Sequence, residues 1–367
     1  MHLQKLFFRN FRNFEKVDLQ MEKGLTLLWG DNAQGKTNFL EAVFFLANLK
    51  SFRNSKNRDI IRWGESCCHI SGDIMFQPCC KKVEVGVEKT GKSVRLNGKP
   101  VKSGRDYFGL FKTVLFSPEE LNLVKGGPAG RRSLLDRAVF LADPDFLERV
   151  KKYDNYLKNR NRLLKEKRFR DELEVWTEGF LENGVRLRKD RITYLREFTP
   201  ELKKNYREIA GTAENVDILY PGSEKGDEEL GKDLREDLKK TREKERDLGY
   251  TLVGPHWDDP LFLVDGRPLR IFGSQGQKRS FLMAFKITQI QAIEAKTGKT
   301  PVLLLDDMAS ELDSFRQLNF FRFLSSREGQ VFMTTTDKQQ LARCGVSPSR
   351  SFQVCAGTLE EVKYERL

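Results

Sequence analysis

The sequence predicts an α/β fold in which a helical lobe is inserted between the two halves of a mixed domain. Residues 1–120 and 251–367 alternate short apolar runs, which are typical of strands, with amphipathic helical patterns. Residues 121–250 instead are rich in Lys, Arg, Glu and Leu and repeat with helical periodicity. A chain of 367 residues is long enough for both parts, since domains commonly have about 100–200 residues.

The first part predicts strands followed by a helix. The segments LQKLFFRNF and VDLQM suit an antiparallel pair, and GLTLLWG is typical of a buried strand that ends in glycine. The segment KVEVGVEKTGKSVRLNGKPV alternates and has turn residues at TGK and NGK, so we expect hairpins. Apolar residues recur at helical spacing in 36–49, at Phe39, Leu40, Val43, Phe44 and Ala47.

The helical lobe is strongly basic in one segment. Residues 149–170 hold ten Lys or Arg against two acids, whereas 235–246 mixes both signs. After residue 251 the α/β pattern returns, with strands at PVLLLDD and QVFMTTT on either side of a predicted helix, ELDSFRQLNFFRFLSS.

The charge of the chain favours an anionic partner. The formal net charge is +12, which suits nucleic acid first and a membrane surface second. The basic segment 149–170 is a candidate for sequence-independent phosphate contacts, and the alternative is a solvated helical face. Four further candidates for such contacts are Arg186, Arg188, Lys189 and Arg191.

The location predicted from the sequence is the cytosol. The chain has no run of 18 apolar residues and no signal-peptide pattern at its start, so we expect no membrane association. Its six cysteines are then expected to be reduced. The pairs Cys67–Cys68 and Cys79–Cys80 suggest zinc, but neighbouring strand residues point to opposite faces, and ordinary strand cysteines are the better interpretation.

The segment GDNAQGKT, 30–37, fits the phosphate-loop pattern G-x-x-x-x-G-K-T between an apolar strand and an amphipathic helix. Such a loop points backbone N–H groups and a helix N-terminus at the phosphates of ATP. Lys36 is expected to reach the β- and γ-phosphates, and Thr37 to offer its hydroxyl to Mg²⁺. The predicted nucleotide-binding residues here are Gly30, Asp31, Asn32, Ala33, Gln34, Gly35, Lys36 and Thr37.

Two aspartates follow the apolar run VLLL at 302–305. A strand that ends in a carboxylate is the usual second half of a phosphate-loop site, so Asp306 is predicted to hold Mg²⁺, with water between them. Asp307 stands where a carboxylate would position the attacking water, and we assign it a catalytic role together with Lys36. The alternative is a solvated strand end or a helix cap.

A third motif indicates which class of phosphate-loop protein this sequence resembles. Lys36 and Asp306 are 270 positions apart, which small GTPases and simple nucleotide kinases do not allow. The segment FGSQGQKRSFLMAFKIT, 272–288, resembles the signature loop of ABC-type ATPases, in which Ser274, Gly276 and Gln277 match. In that class the loop contacts the γ-phosphate held by a second subunit, so ATP joins two heads.

Two neighbouring segments also resemble motifs of ABC-type ATPases, but several residues differ from the usual ones. SELD, 310–313, resembles the D-loop, and TTTD, 334–337, places Thr336 where transporters have a histidine. No convincing glutamine for a Q-loop stands near VLFSPEEL, 114–121, and Asp307 is shorter than the usual glutamate. These differences predict slow hydrolysis, which suits a timed clamp better than a motor.

Taken together, these residues resemble the RecF family, bacterial recombination mediators of the SMC type. The most specific segments are NFRNF, GDNAQGKTNFLEAVFFLA with KSFR after it, FSPEELNLVKGGPAGRRSLLD, GPHWDD and GSQGQKR…LLLDDMASELD. The family usually has arginine where Trp257 stands in GPHWDD. The resemblance covers nearly the whole chain and implies an ABC-type, SMC-like head without a long coiled coil.

The resemblance further implies an ATP-dependent homodimer that binds duplex DNA near gaps, without reading sequence, in repair and replication restart. It implies RecR and RecO as partners that help a recombinase load on single strands. A transporter ATPase subunit, a head with a nuclease module, and a scaffold without DNA binding are the alternatives. Stimulation by a membrane partner together with indifference to DNA would indicate the transporter subunit. A metal cluster of acids outside the ATP site would indicate the nuclease module.

Overall fold

The computed structural model describes residues 1–76, 79–168, 171–308, 313–337, 340–343 and 345–364. The chain forms two compact units, Met1–Glu120 with Gln289–Leu367, and Leu121–Thr288. The second unit therefore continues past residue 250. The predicted boundary at that residue assigned 251–288 to the ATP-binding head, and this assignment stays a prediction.

The strands of the described residues follow in chain order: β1 (His2–Phe11), β2 (Phe14–Gln20), β3 (Gly24–Trp29), β4 (Cys67–Phe76), β5 (Cys79–Glu88), β6 (Lys92–Leu96), β7 (Lys99–Pro100), β8 (Thr113–Phe116), β9 (Val216–Leu219), β10 (Leu261–Val264), β11 (Arg267–Pro268), β12 (Val302–Asp306), β13 (Gln330–Thr335), β14 (Arg350–Cys355) and β15 (Thr358–Glu361).

The helices are α1 (Lys36–Asn48), α2 (Asn57–Ile60), α3 (Gly104–Tyr107), α4 (Leu121–Lys125), α5 (Pro128–Ala142), α6 (Phe146–Lys165), α7 (Asp171–Ala210), α8 (Asp227–Leu248), α9 (Leu269–Phe272), α10 (Gln275–Thr297), α11 (Ser314–Ser325) and α12 (Gln340–Arg343), with a short 3-10 helix at Pro118–Glu120.

The first unit contains a parallel sheet whose strand ends build the site. Its order is β15-β14-β3-β13-β12-β8, and every neighbouring pair from β14 to β8 is parallel. Because the carboxyl ends of parallel strands meet at one edge, the residues after β3, β12, β13 and β8 converge there. The long apolar runs of β3 and β12 suit strands that are buried on both faces.

The second sheet of this unit is antiparallel, in the order β2-β1-β4-β5-β6-β7. The predicted pairing of β1 with β2 is confirmed, as are the hairpins from β5 to β7. At the NGK turn Asn97 and Gly98 have φ of 50° and 77°, the left-handed values that a tight hairpin turn requires. The helix predicted over 36–49 is confirmed as α1, whose apolar residues pack into the core of this unit with side chains from both sheets. The α/β fold class is therefore confirmed.

The second unit is mainly helical, with β9, β10 and β11 forming a small antiparallel sheet. Helix α7 has 40 residues, is the longest helix in the described part of the chain, and packs against α6 and α8. Its apolar side chains repeat at helical spacing, as the sequence predicts. Inside this unit Arg160 of α6 pairs with Glu245 of α8 at 2.6 Å, and both side chains are almost fully buried.

Two of the arginines proposed for phosphate contacts serve inside the second unit instead. Arg188 donates to both carboxylate oxygens of Asp258, at 2.9 and 2.7 Å, and Arg191 donates to both oxygens of Asp136, at 2.7 and 2.8 Å. Arg191 also donates to the carbonyl of Pro255 and is only 3% exposed. The expectation was therefore wrong for Arg188 and Arg191, because carboxylates on other segments, the buried Asp258 and the partly buried Asp136, take both guanidinium groups.

The paired cysteines do not form a shared site. Cys67 lies opposite Glu88 and Cys80 lies opposite Met75, so the two cysteine pairs are at opposite ends of the β4–β5 ladder. Within the described residues there is no cluster of three His, Cys, Asp or Glu side chains suited to a metal ion. Nor does any helix in the described ranges have the length and apolar character needed to cross a bilayer.

Candidate functional site

The predicted phosphate loop connects β3 to α1 and depends on two glycines. Gly30 and Gly35 have φ of 148° and 118°, which disfavours residues with a Cβ. A Cβ on Gly30 would lie 2.5 Å from the carbonyl oxygen of Val354, and one on Gly35 would lie 2.7 Å from Nδ2 of Asn13. The loop therefore tolerates only glycine at the two positions that its motif specifies.

Lys36, the first residue of α1, bonds back to the start of the phosphate loop. Its ammonium donates to the carbonyl oxygens of Gly30, at 2.8 Å, and Asp31, at 2.7 Å. Burial lowers the pKa of Lys36, while the negative charges of Asp307 and Asp306 act in the opposite direction. The lysine is thus held inside the loop, where a phosphate could replace the carbonyls as its partner.

The rest of the loop is anchored from outside. The carbonyl of Gln34 accepts from the side chain of Asn13, at 2.9 Å, and from the backbone N–H of Gly357, at 3.0 Å. The side-chain oxygen of Gln34 accepts from the N–H of Ala356 at 2.7 Å. The three loop residues left exposed are Asp31, Asn32 and Ala33.

The two halves of the predicted site meet directly. The hydroxyl of Thr37 donates to Oδ1 of Asp306 at 2.8 Å, across 269 positions of sequence. Asp306 is 6% exposed, and this burial raises its pKa, although hydrogen bonds from Thr37 and Thr334 oppose the shift. A buried carboxylate beside a hydroxyl is a set of hard oxygen donors, which fits Mg²⁺.

Thr334 of β13 fixes both aspartates and was missed by the sequence analysis. It lies opposite Asp306 in the parallel ladder, and its hydroxyl donates to Oδ1 of Asp306 at 2.8 Å. The hydroxyl oxygen of Thr334 also accepts from the backbone N–H of Asp307 at 3.0 Å, where the chain turns with φ of 47°. The sequence drew attention to Thr336 instead, which lies just after β13 and is exposed.

We expect Thr334→Val to raise the Mg²⁺ concentration needed for half-maximal ATP binding by about ten-fold or more, because residues that orient metal ligands commonly affect metal affinity to this degree. Valine has nearly the shape of threonine but no hydroxyl for Asp306. Titration of nucleotide binding with Mg²⁺ measures the effect, and Thr334→Ser should behave like the natural protein. A valine variant with unchanged Mg²⁺ dependence would show that Thr334 only packs.

Beside the loop, a buried carboxylate joins the segments NFRNF and KSFR. Glu41 of α1 is fully buried and accepts from Arg12 at 2.8 and 2.6 Å and from the hydroxyl of Ser51 at 2.5 Å. In the sequence, both segments stand out only through their resemblance to the RecF family. A single acid within the apolar stretch FLEAVFFLA, 39–47, was the signal that could have revealed this cluster.

The segment VLFSPEEL, 114–121, has no convincing glutamine for a Q-loop but contributes a carboxylate, that of Glu119. Strand β8 lies next to β12, so the residues after it reach the same sheet edge as Asp306. Oε1 of Glu119 lies 3.9 Å from Nε of Arg53, whose Nη1 donates to the side chain of Asn38 at 3.0 Å. Burial raises the pKa of Glu119, and the charge of Arg53 acts against this shift.

The signature-like residues lie in the second unit, at the start of α10. The N–H of Ser274 donates to Oε1 of Gln277 at 2.7 Å, and the N–H of Gln277 donates to the hydroxyl of Ser274 at 3.1 Å. These reciprocal bonds form a capping box. Gly276 lies inside this first turn, and the side chain of Gln277 also donates to Glu214 at 2.8 Å. Ser274 is exposed at the positive end of a 23-residue helix, which suits an anion.

The D-loop interpretation mostly falls outside the described residues. Ser310, Glu311 and Leu312 lie there, and only Asp313 is described. Asp313 is the N-cap of α11, where its carboxylate accepts from the N–H of Arg316 at 3.0 Å.

Comparisons with known proteins agree with this architecture. A model of the family "RecF/RecN/SMC N terminal domain" matches residues 2–358. A "DNA replication and repair protein RecF" from Syntrophotalea carbinolica is 43% identical over 359 residues, with 98% of this chain and 99% of that protein covered. The namesake from Geotalea uraniireducens is 41% identical, with 97% and 99% covered.

Solved structures give the same result. A structure titled "Structure of the recombination mediator protein RecF-ATP in RecFOR pathway" superimposes with a TM-score of 0.88 and 34% identity, covering 98% of this chain and 99% of the other. An SMC head bound to a domain of ScpA matches with a TM-score of 0.58 at 16% identity, covering 99% and 97%, and therefore shares the fold alone. The predicted SMC-like head of the ABC-ATPase class is thereby confirmed. Identity at this level over nearly the whole chain means that the protein belongs to the RecF family.

Proposed function

We propose that the protein is an ATP-switched, DNA-binding clamp of recombinational repair and replication restart. The observation that carries the proposal is the 2.8 Å hydrogen bond from Thr37 to Asp306, which joins the phosphate loop to the acidic strand end. Its relatives are named DNA replication and repair proteins, and a relative of known structure is titled as a complex with ATP. A cytoplasmic location follows from this role.

In this proposal the loop residues Gly30 to Thr37 bind the phosphates of ATP through backbone N–H groups, and Lys36 neutralises the β- and γ-phosphates. Thr37 and Asp306 would hold Mg²⁺, which when bound neutralises charge on the phosphates. Asp306 stays oriented because the hydroxyl of Thr334 donates to the same oxygen as Thr37 does. Thr37 and Asp306 are therefore held in a defined orientation relative to each other.

Asp307 is the proposed group that positions the attacking water. We expect Asp307→Asn to retain ATP binding but to slow hydrolysis by about 100-fold or more, the usual contribution of a positioned general base. The backbone N–H that bonds Thr334 remains in this variant, so the local geometry is kept. Single-turnover phosphate release measures the effect, and Asp18→Asn, at an exposed position of β2 outside the phosphate loop, is the control. Unchanged turnover would mean that another group positions the water.

Ser274, Gly276 and Gln277 are proposed to bind the γ-phosphate held by a second copy of the chain, which makes the dimer depend on ATP. We expect Ser274→Arg to bind ATP normally yet to remain monomeric, because the long side chain occupies the space needed by that phosphate. Sedimentation with and without ATP measures the assembly. Ser274→Thr keeps a hydroxyl at the cap and should still dimerise. Dimers of the arginine variant would contradict the trans contact.

DNA binding is proposed through exposed basic residues of the second unit. On α6 these include Lys151, Lys152, Lys158, Arg162 and Lys165. Contacts of such side chains with phosphates carry no sequence information, so shape or junction preference is the expected selectivity. RecR- and RecO-type proteins, with a recombinase acting indirectly, are the proposed protein partners.

The experiment that tests this function is fluorescence anisotropy of a labelled gapped duplex, titrated with protein in the absence of nucleotide, with ADP, and with ATP. We expect ATP to tighten binding well beyond ADP, and rising salt to weaken it steeply, because bound phosphates release counterions. Weak binding that is indifferent to nucleotide would contradict the proposal. It would instead favour an ATPase scaffold or a transporter subunit.

A further inference from the structure

An exposed aromatic pair lies beside the basic helix of the second unit. Tyr250 is 42% exposed and Trp257 is 53% exposed, and both belong to the segment that follows α8. Along the sequence the aromatic residues are dispersed and do not form a stacking platform. We call Tyr250, Trp257, Lys158, Arg162 and Lys165 the junction patch.

The backbone of this segment is fixed against α6. Gly249 ends α8 with φ of 75°, and a Cβ at that position would lie 3.3 Å from Cα of Lys165. Both the N–H and the hydroxyl of Thr251 donate to Oδ1 of Asn161, at 2.8 and 2.6 Å. Tyr250, which stands between these two anchored residues, is therefore held next to the carboxyl-terminal half of α6.

The indole of Trp257 is also held in place although half of it is exposed. Its Nε1 donates to the carbonyl of Thr251 at 3.1 Å, and its backbone N–H donates to the carbonyl of Gly254 at 2.8 Å. The neighbouring residue His256 is fixed by a 2.5 Å hydrogen bond with the hydroxyl of Tyr153. A rigid indole loses little conformational entropy when it packs against a flat partner.

The half of α6 to which this segment is anchored carries three exposed cations. Lys158, Arg162 and Lys165 are exposed, and their spacings of four and three positions place them on one face of α6. Lys158 and Lys165 also lie three positions before and four positions after Asn161, which anchors the segment that carries the rings. Two acids nearby are already paired, since Glu245 is buried against Arg160 and Glu166 lies 3.5 Å from Arg168. Flat aromatic faces together with exposed cations match unpaired nucleotides, whose bases stack while their phosphates bind the cations.

We propose that the junction patch binds the unpaired nucleotides at a single-strand/duplex junction, with Trp257 and Tyr250 stacking on bases and the three cations contacting phosphates. The inference rests on the proposed DNA-binding function. It adds the surface that would distinguish gapped DNA from continuous duplex. Inside an intact duplex the faces of the bases are covered by their neighbours. Stacking on the patch is therefore available at a gap or a strand end, and only phosphate contacts remain on continuous duplex.

The test compares a gapped duplex with a gap-free, hairpin-closed duplex of equal length, by anisotropy with the full chain and ATP. Trp257→Ala is expected to weaken binding to the gapped DNA by about ten-fold, the effect of losing one stacked base. The affinity for the closed duplex should stay unchanged. Quenching of a 2-aminopurine at the first unpaired position should also be lost. Trp257→Phe should keep most of both signals.

Two further variants sharpen the result. Trp63, which lies in the first unit and is 99% exposed, provides the matched control. Trp63→Ala should change the affinity for neither DNA. Lys165→Gln should weaken binding to both DNAs equally. An unchanged ratio of the two affinities in Trp257→Ala, or a loss that affects only a protein partner, would overturn the junction patch while leaving the proposed function intact. Absence of DNA binding by the natural protein would refute both.

Discussion

Lys36→Ala is expected to raise the dissociation constant for ATP by at least about 100-fold, because loss of one partner from a buried charge pair commonly costs about 2–5 kcal/mol or more. The ammonium lies inside the loop, bonded to the carbonyls of Gly30 and Asp31, and no nearby lysine of the loop can replace it. The positive charge that faces the β- and γ-phosphates is therefore removed.

Isothermal titration with ATP and with ADP measures this loss. Lys16→Ala, on the exposed side of β2, removes the same charge from the chain and should leave both affinities unchanged. Thermal unfolding of the variant is the necessary companion measurement, since Lys36 also bonds its own loop. ATP affinity retained in a folded Lys36→Ala protein would contradict the phosphate-loop assignment itself.

Glu41→Ala is expected to destabilise the protein by about 3–5 kcal/mol, the usual effect of removing one partner of a buried ion pair. The carboxylate is fully buried and bonds Arg12 through both of its oxygens. Its removal leaves the guanidinium of Arg12 with an unpaired charge, and it also leaves the hydroxyl of Ser51 without this acceptor.

Chemical denaturation gives the free energy of unfolding for this comparison. The matched control is Glu15→Ala, since Glu15 pairs with Arg62 at 3.0 Å but is 75% exposed in its side chain. An exposed pair contributes about 0–1 kcal/mol, so the control should change stability little. Equal effects of the two substitutions would mean that Glu41 is not the centre of a buried network.

Local patterns account for what the sequence predicted well. The phosphate loop, the apolar strand before it and helix α1 each depend on residues close together in the chain. The same holds for the hairpin turn at Asn97 and Gly98, where a dipeptide specifies the backbone conformation. These features could be predicted because the spacing of residue types reports directly on strand, turn and helix geometry.

Local patterns do not predict which distant segments of the chain come into contact. Thr334 matters because β13 pairs with β12 in a register that places it opposite Asp306. Arg188 and Arg191 look like ordinary solvated helix residues, and only the fold brings Asp258 and Asp136 to them. Composition records that a charge is present but does not record whether it is buried or what neutralises it.

The anchoring of Gln34 has a consequence for biosynthesis. The N–H groups that fix this loop residue belong to Ala356 and Gly357, more than 300 positions later in the chain, and β3 is flanked by two strands, β13 and β14, from the same late segment. A nascent chain on the ribosome therefore lacks the parts that shape its nucleotide loop until these strands emerge. Such distant contacts form slowly, since long loops must close first. The nucleotide loop can therefore take its final shape only after residues 350–357 have been synthesised.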